Sequence, residues 1–210
     1  MRFSKMHGAG NDFVMLDAKN AEGRDIPALA VKMCHRNFGV GGDGLIAVLP
    51  SDVADFRMRI FNSDGTEPEM CGNGIRCAVK FYIDNSLNGN KPGGEIKVET
   101  LAGILGIRVV DLNGADYYAV DMGKPILEPA LVPVKADGDK AVSVPVEVNG
   151  QPVKVTCVSM GNPHAVLFFD DDEGVSLVET LGPPLEKHEM FPAKTNVEFA
   201  RVISGDEIKM

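Results

Sequence analysis

Two stretches of this chain repeat one design: GNDFVMLD from Gly10 and GNPHAVLFFD from Gly161 each set Gly-Asn before a short apolar run that ends in Asp. Further on, DFRM at 55–58 is echoed by EIKM at 207–210, and the offset from Asn11 to Asp55 matches that from Asn162 to Glu207 within one residue. Short matches come cheaply in a chain with 23 glycines, but agreement in both order and spacing predicts a duplicated unit. Two similarly built halves follow, with a boundary near 112–125 that divides the chain into domains 1–115 and 116–210. A counterpart of Cys71 in the second half would fall beyond Met210, so the second half is expected to stop before its own cysteine and its own central helix.

Local patterns give these halves their elements. Residues 2–7 and 13–17 read as strands around the loop HGAGND. From Asp25, DIPALAVKMCHRNFG has a capping residue, a proline in the first turn, Leu29 and Met33 four apart, and Gly39 after the end, the marks of a helix. GLIAVL and FRMRIF read as strands, the second with Phe56, Met58 and Ile60 on one face. From Glu95 the chain reads as mostly extended. Asn-Gly at 113–114 and 149–150 marks two hairpins, and the proline-rich 124–139 reads as a connection without a helix.

The densest chemistry lies in NSDGTEPEMCGNGIRCAVKFYID, residues 62–84. A polar loop turns there into an amphipathic helix, with Ile75, Val79 and Tyr82 along one stripe, and Cys71 sits at the turn. A thiol at a helix start meets unpaired amide hydrogens and the positive end of the helix dipole, which stabilise a thiolate as base or nucleophile. Glycines at 72 and 74 leave those amides open to a ligand carboxylate. A free cysteine is more often a small core residue; the polar flank sets Cys71 apart from that role, whereas Cys77, Cys34 and Cys157 fit it.

Composition excludes several classes. A net charge of −9 with no basic cluster disfavours nucleic acid, and no apolar run is long enough to span a membrane. The N-terminus lacks a signal-peptide pattern, so the cytoplasm is the expected address. Four scattered cysteines do not make a disulfide framework and read as reduced thiols. No HExxH or paired CxxC spacing supports a metal. FGVGGDGL at 38–45 is neither a dinucleotide fingerprint nor a P-loop and reads as a structural or substrate-facing turn.

Taken together, HGAGNDFVMLD, FGVGGDGL, FNSDGTEPEMCGNGIRC, MGNPHAVLF and PAKTNVEF make the chain resemble the diaminopimelate epimerase family, in that family's order and nearly its spacing. The resemblance implies an α+β fold of two pseudo-symmetric domains, each a mixed, mostly antiparallel sheet wrapped around a central helix, the second incomplete. It implies an isomerase that interconverts LL- and meso-diaminopimelate without cofactor or metal, for lysine and peptidoglycan precursors, by passing protons between two thiols on opposite faces of the α-carbon. Cys71 matches one of these thiols. Asn11, Asn62, Asn73, Asn162 and Asn196 match substrate contacts, Gly72 offers a backbone amide, and His164 matches a position lining the site. Gly44 stands where some members carry a substrate-touching glutamine, and the family's Glu-Arg pair and second cysteine block would lie past Met210, so the 210-residue form is expected to be inactive alone. Diaminopimelate is the implied small-molecule partner, and a homodimer is left open. Two rivals are a related cofactor-independent racemase of the proline racemase or phenazine-biosynthesis type and a non-catalytic diaminopimelate-binding protein.

Overall fold

The hairpin signals fold as their residues dictate. In the computed structural model, which describes residues 1–86 and 94–210, strands β1 (Ser4–Gly8) and β2 (Asn11–Asp17) pair across Ala9-Gly10, both at positive φ. That is the twist-matched two-residue turn. The same device joins β6 (Gly103–Leu112) to β7 (Ala115–Val120) at Asn113-Gly114, and β8 (Val144–Val148) to β9 (Gln151–Ser159) at Asn149-Gly150.

The chain divides into two compact units, Met1–Met122 and Gly123–Met210. In the first, β1 and β2 are followed by α1 (Ala18–Ala21), α2 (Ile26–Cys34), β3 (Gly44–Leu49), β4 (Phe56–Asn62), α3 (Gly72–Ser86) and β5 (Glu95–Thr100), then by the β6–β7 hairpin. The seven strands lie in sequence order across one mixed sheet, parallel only at β2–β3 and β4–β5. Helix α3 packs against β1, β2, β3 and β4 and also against β7. Since β1 and β7 are the two edges, the sheet curls around the helix.

Alternation decides the two faces of this sheet. Phe13, Met15, Ile46, Met58 and Ile60 point to α3, where Ile75, Val79 and Phe81 meet them. Val14, Leu16, Leu45 and Phe61 point the other way, under Ala30 and Met33 of α2. Helix α2 opens as its sequence requires, with Asp25 accepting from the Ala28 amide and Pro27 in the first turn. It ends at Cys34, earlier than expected from Gly39 standing just past the end. The amides of Val40 and Gly41 fold back to the Met33 carbonyl and that of Gly42 to the Cys34 carbonyl, so loop backbone closes the helix.

The second unit continues from β8 and β9 through β10 (Pro163–Phe169), α4 (Asp172–Ser176), α5 (Val178–Glu186), β11 (Asn196–Val202) and β12 (Ile208–Lys209). Its sheet runs β12-β11-β10-β9-β8. Leu167, Leu181, Leu185, Phe191 and Phe199 form its core, joined by Val132 and Val134 of the proline-rich connection. That connection holds no helix.

The internal echo has a topological counterpart. Strands β1 and β2 are antiparallel, two helices intervene, β3 adds parallel to β2, and β4 adds antiparallel to β3. Strands β9 and β10, helices α4 and α5, and strands β11 and β12 repeat that series with the same pair orientations. The two prolines inside α5, Pro183 and Pro184, hid that helix in the sequence. Proline at 184 offers no amide to the Thr180 carbonyl, which instead accepts from Asn149 Nδ2 at 3.4 Å.

Candidate active site

Cys71 stands one residue before α3 and takes the role of its N-cap. Its carbonyl accepts from the Ile75 amide at 2.8 Å, the first helical bond, and its Sγ accepts from the Gly74 amide at 3.3 Å. That is the bond a serine or aspartate cap would make with the third residue of a helix, here made by sulfur. The thiol therefore touches one of the four amides that a helix start leaves unpaired.

Two close approaches fix this geometry. A Cβ at Gly8 would stand 2.7 Å from the Asn73 carbonyl oxygen, so the end of β1 lies directly on the first turn of α3. One at Gly74 would meet Ile46 Cδ1 at 2.9 Å and Ile60 Cδ1 at 3.1 Å, so the helix start is seated on the sheet. The glycines around Cys71 thus set its position besides exposing amides.

Asn11, the first residue of β2, brings Oδ1 to 3.8 Å from Cys71 Sγ. Its Nδ2 donates to Asp43 Oδ2 at 2.6 Å, and the same oxygen accepts from the Asp12 amide at 3.0 Å. The other oxygen of Asp43 accepts from Arg36 at 2.7 Å. Backbone bonds tie Asp43 further, its amide to the Asp12 carbonyl and its carbonyl to the Ser63 amide. Asp12 itself meets Arg36 at 2.9 Å and Lys5 at 2.8 Å, and these two cations hold its carboxyl well below the usual carboxylate range, Arg36 contributing most.

Among the remaining expected residues of the first unit, Asn62 ends β4 directly across from Gly44, its Nδ2 donating to Thr66 Oγ1 at 2.9 Å. It lies on the same face of β4 as Met58 and Ile60, the face toward α3. Gly72 and Asn73 form the first turn of α3, where the Asn73 Oδ1 accepts from Arg76. A Cβ at Gly44 would meet the Phe61 carbonyl at 2.7 Å, so this backbone seats glycine there.

In the second unit His164 and Asn196 are paired across the parallel β10–β11 register. His164 Nδ1 lies 2.6 Å from Glu198 Oε1 and its Nε2 lies 3.0 Å from Asn162 Oδ1, while Asn196 Nδ2 donates to the Pro163 carbonyl. Asn162, His164 and Asn196 thus form one cluster, as Asn11, Cys71, Gly72 and Asn73 form another. Glu198 was not anticipated. Its Oε2 is buried and has no hydrogen-bond partner among the described residues.

The other thiols are placed differently. Cys34, Cys77 and Cys157 are 1%, 3% and 0% exposed. Burial pushes the Cys77 and Cys157 thiols up to about 11 and raises Cys34 as well. Among the described residues no cluster of three or more His, Cys, Asp or Glu side chains is placed to hold a metal ion, and no helix is long and apolar enough to cross a membrane.

Asp43, like Glu198, is a residue that sequence reasoning passed over. It is the one charged residue within FGVGGDGL, and that isolation was the available signal.

Solved structures share the fold at low identity. A probable proline racemase from Agrobacterium radiobacter matches with a TM-score of 0.65 and 14% identity, over 98% of this chain and 68% of that one. A hydroxyproline epimerase from Agrobacterium vitis gives 0.62 and 12%, over 95% and 64%. A Bacillus anthracis phenazine biosynthesis protein of the PhzF family gives 0.60 and 19%, over 99% and 69%. Sequence relatives are nearer. The diaminopimelate epimerase of Desulfitobacterium hafniense is 53% identical over 214 residues, covering 100% of this chain and 74% of that protein. That of Moorella thermoacetica is 50% identical over 213 residues, covering 100% and 75%. The family profile described as diaminopimelate epimerase matches residues 3–128, the span that holds Cys71 and the side chains around it, and on this ground the chain belongs to the diaminopimelate epimerase family.

Proposed function

We propose that this chain binds diaminopimelate and that Cys71 is the thiol that exchanges the proton on its α-carbon, in an epimerisation that serves lysine and peptidoglycan precursors. The observation that carries the reading is the sulfur at the N-cap of α3, 3.3 Å from the Gly74 amide.

An amino-acid α-proton is a very weak acid. As it leaves, charge builds on the carboxylate, and fixed donors aimed at that position stabilise it. The first-turn amides of Gly72 and Asn73 are such donors, supplied by the fold with no cofactor. Cys71 as thiolate accepts the proton and becomes a thiol, and the electron pair of the broken C–H bond is held over the α-carbon and its carboxylate. Inversion then needs an acid on the opposite face to return a proton there. Cys34, Cys77 and Cys157 are buried in cores, so these 210 residues supply one thiol to a two-thiol reaction. In the unit that holds Cys71, Asn11 and Asn62 orient polar groups of the substrate without a change of charge; Asn162, Asn196 and His164 are the second unit's own candidates for substrate contact and for lining a site.

The test pairs protection with stereochemistry. LL-diaminopimelate should slow alkylation of Cys71 while proline does not, and in deuterated water these 210 residues alone should leave the configuration at the α-carbon uninverted. Equal protection by proline would move the assignment to another amino acid, and inversion would sink the one-thiol reading.

A further inference from the structure

Asn11 faces Cys71 with an amide, a group that presents a donor at one end and an acceptor at the other. Which end faces the sulfur decides what the site offers to the thiol and to any ligand. The residue that decides it is Asp43, whose carboxylate can only accept. Asp43 Oδ2 takes the Asn11 Nδ2 at 2.6 Å and the Asp12 amide at 3.0 Å, and Oδ1 takes Arg36 at 2.7 Å. With Nδ2 committed to a carboxylate, Oδ1 is left to face Cys71 Sγ.

We infer that Asp43 is a positioning residue that fixes the polarity of the site: through Asn11 it presents an acceptor, never a donor, to the Cys71 thiol and to the ammonium group of an amino-acid ligand. The inference rests on the reading of Cys71 as the reacting thiol. Stability alone does not explain the arrangement. Asp43 is 41% exposed and Arg36 61% exposed, and ion pairs at such exposure contribute little to folding. Nor is the carboxylate needed to anchor its own loop, since the backbone bonds of Asp43 to Asp12 and Ser63 do that already.

The acceptor has two consequences. A thiol can donate to Asn11 Oδ1, whereas a thiolate gains nothing from it, and a ligand ammonium can take the same oxygen. A ligand whose nitrogen carries hydrogen is then selected over one presenting a carboxylate or hydroxyl oxygen at that point. The Gly74 amide remains the donor to the sulfur, so one atom meets both an acceptor and a donor.

Iodoacetamide labelling of Cys71 by mass spectrometry, without substrate, reads the polarity directly. In Asp43→Asn the exclusive acceptor is gone and the Asn11 amide is free to turn its donor to the sulfur. The labelling rate at neutral pH should rise about tenfold, the worth of an exchanged hydrogen bond to a charged group. The double variant Asn11→Asp with Asp43→Asn restores an acceptor at the thiol, so its rate should return to the wild-type value or below. Cys34, Cys77 and Cys157 should stay unlabelled in both. An unchanged rate in Asp43→Asn overturns the inference, as does a double variant that stays fast. If Asp43→Asn alone exposes the buried thiols, the double variant decides: a wild-type rate with buried thiols protected upholds it, and any other result overturns it. Because no turnover is read, loss of diaminopimelate protection in the wild type would overturn the substrate assignment and leave the polarity result standing.

Discussion

Asn11 and Cys71 are 60 residues apart in the chain, yet Asn11 Oδ1 lies 3.8 Å from Cys71 Sγ. The β1–β2 hairpin delivers the first and the start of α3 delivers the second, and Gly8 lets the two backbones touch.

Thiol reactivity should divide the four cysteines cleanly. Cys71 is half-buried at a helix start, while the others lie in cores, with Cys77 and Cys157 pushed up to about 11. At about pH 8 one equivalent of iodoacetamide should label Cys71 alone, located by peptide mass mapping. Labelling of Cys77 at a similar rate would contradict its place between α3 and the sheet.

The sulfur cap predicts a stability order. Cys71→Ser keeps an acceptor for the Gly74 amide and should unfold within about 0.5 kcal/mol of wild type, or be slightly more stable, whereas Cys71→Ala loses the cap and should cost about 0.5–2 kcal/mol. Urea midpoints of the two variants measure the difference.

Neighbouring glycines should behave unlike one another. Gly8→Ala drives a methyl into the Asn73 carbonyl and should cost about 1–3 kcal/mol. At Gly72 a Cβ would find only the Met122 side chain, 3.5 Å away. Gly72→Ala should therefore change stability by no more than about 0.5 kcal/mol. Equal losses in thermal melts would argue against the close approach of β1 and α3.

Acid should weaken the first unit through Asp12. Arg36 and Lys5 hold its folded-state value below that of the unfolded chain, so its contribution is complete above about pH 4, the unfolded carboxylate value, and is lost as pH falls toward the folded one. Comparing urea midpoints at pH 6 and pH 3 should show a smaller acid loss in Asp12→Asn than in wild type.

Much of this was legible in short stretches. Both Asn-Gly hairpins, the Asp25 cap and the helix after Cys71 are specified by neighbours in sequence, and local chemistry settles them. The echo of Gly10 in Gly161 predicted a duplicated unit because each Gly-Asn precedes an apolar run that ends in Asp, but it did not reveal the helices between the strands. Helix α5 was not legible, since Pro183 and Pro184 argue against a helix, and the Thr180 carbonyl that Pro184 leaves without an amide is met by Asn149 from a distant hairpin. Asp43 escaped for a related reason: its value lies in oxygens shared among Asn11, Asp12 and Arg36, partners that no periodicity relates. Its neighbours in FGVGGDGL explain only the turn.

The curl of the first sheet also orders events in time. Helix α3 is flanked by β1, made before it, and by β7, made after it and ending at Val120. Its apolar stripe cannot be fully enclosed while the chain emerges from the ribosome until that last edge strand is out. Long-range closure of this kind slows folding, and it leaves the nascent helix, with the Cys71 sulfur at its tip, exposed to chaperones and oxidants for the interval in which β5, β6 and β7 are being added.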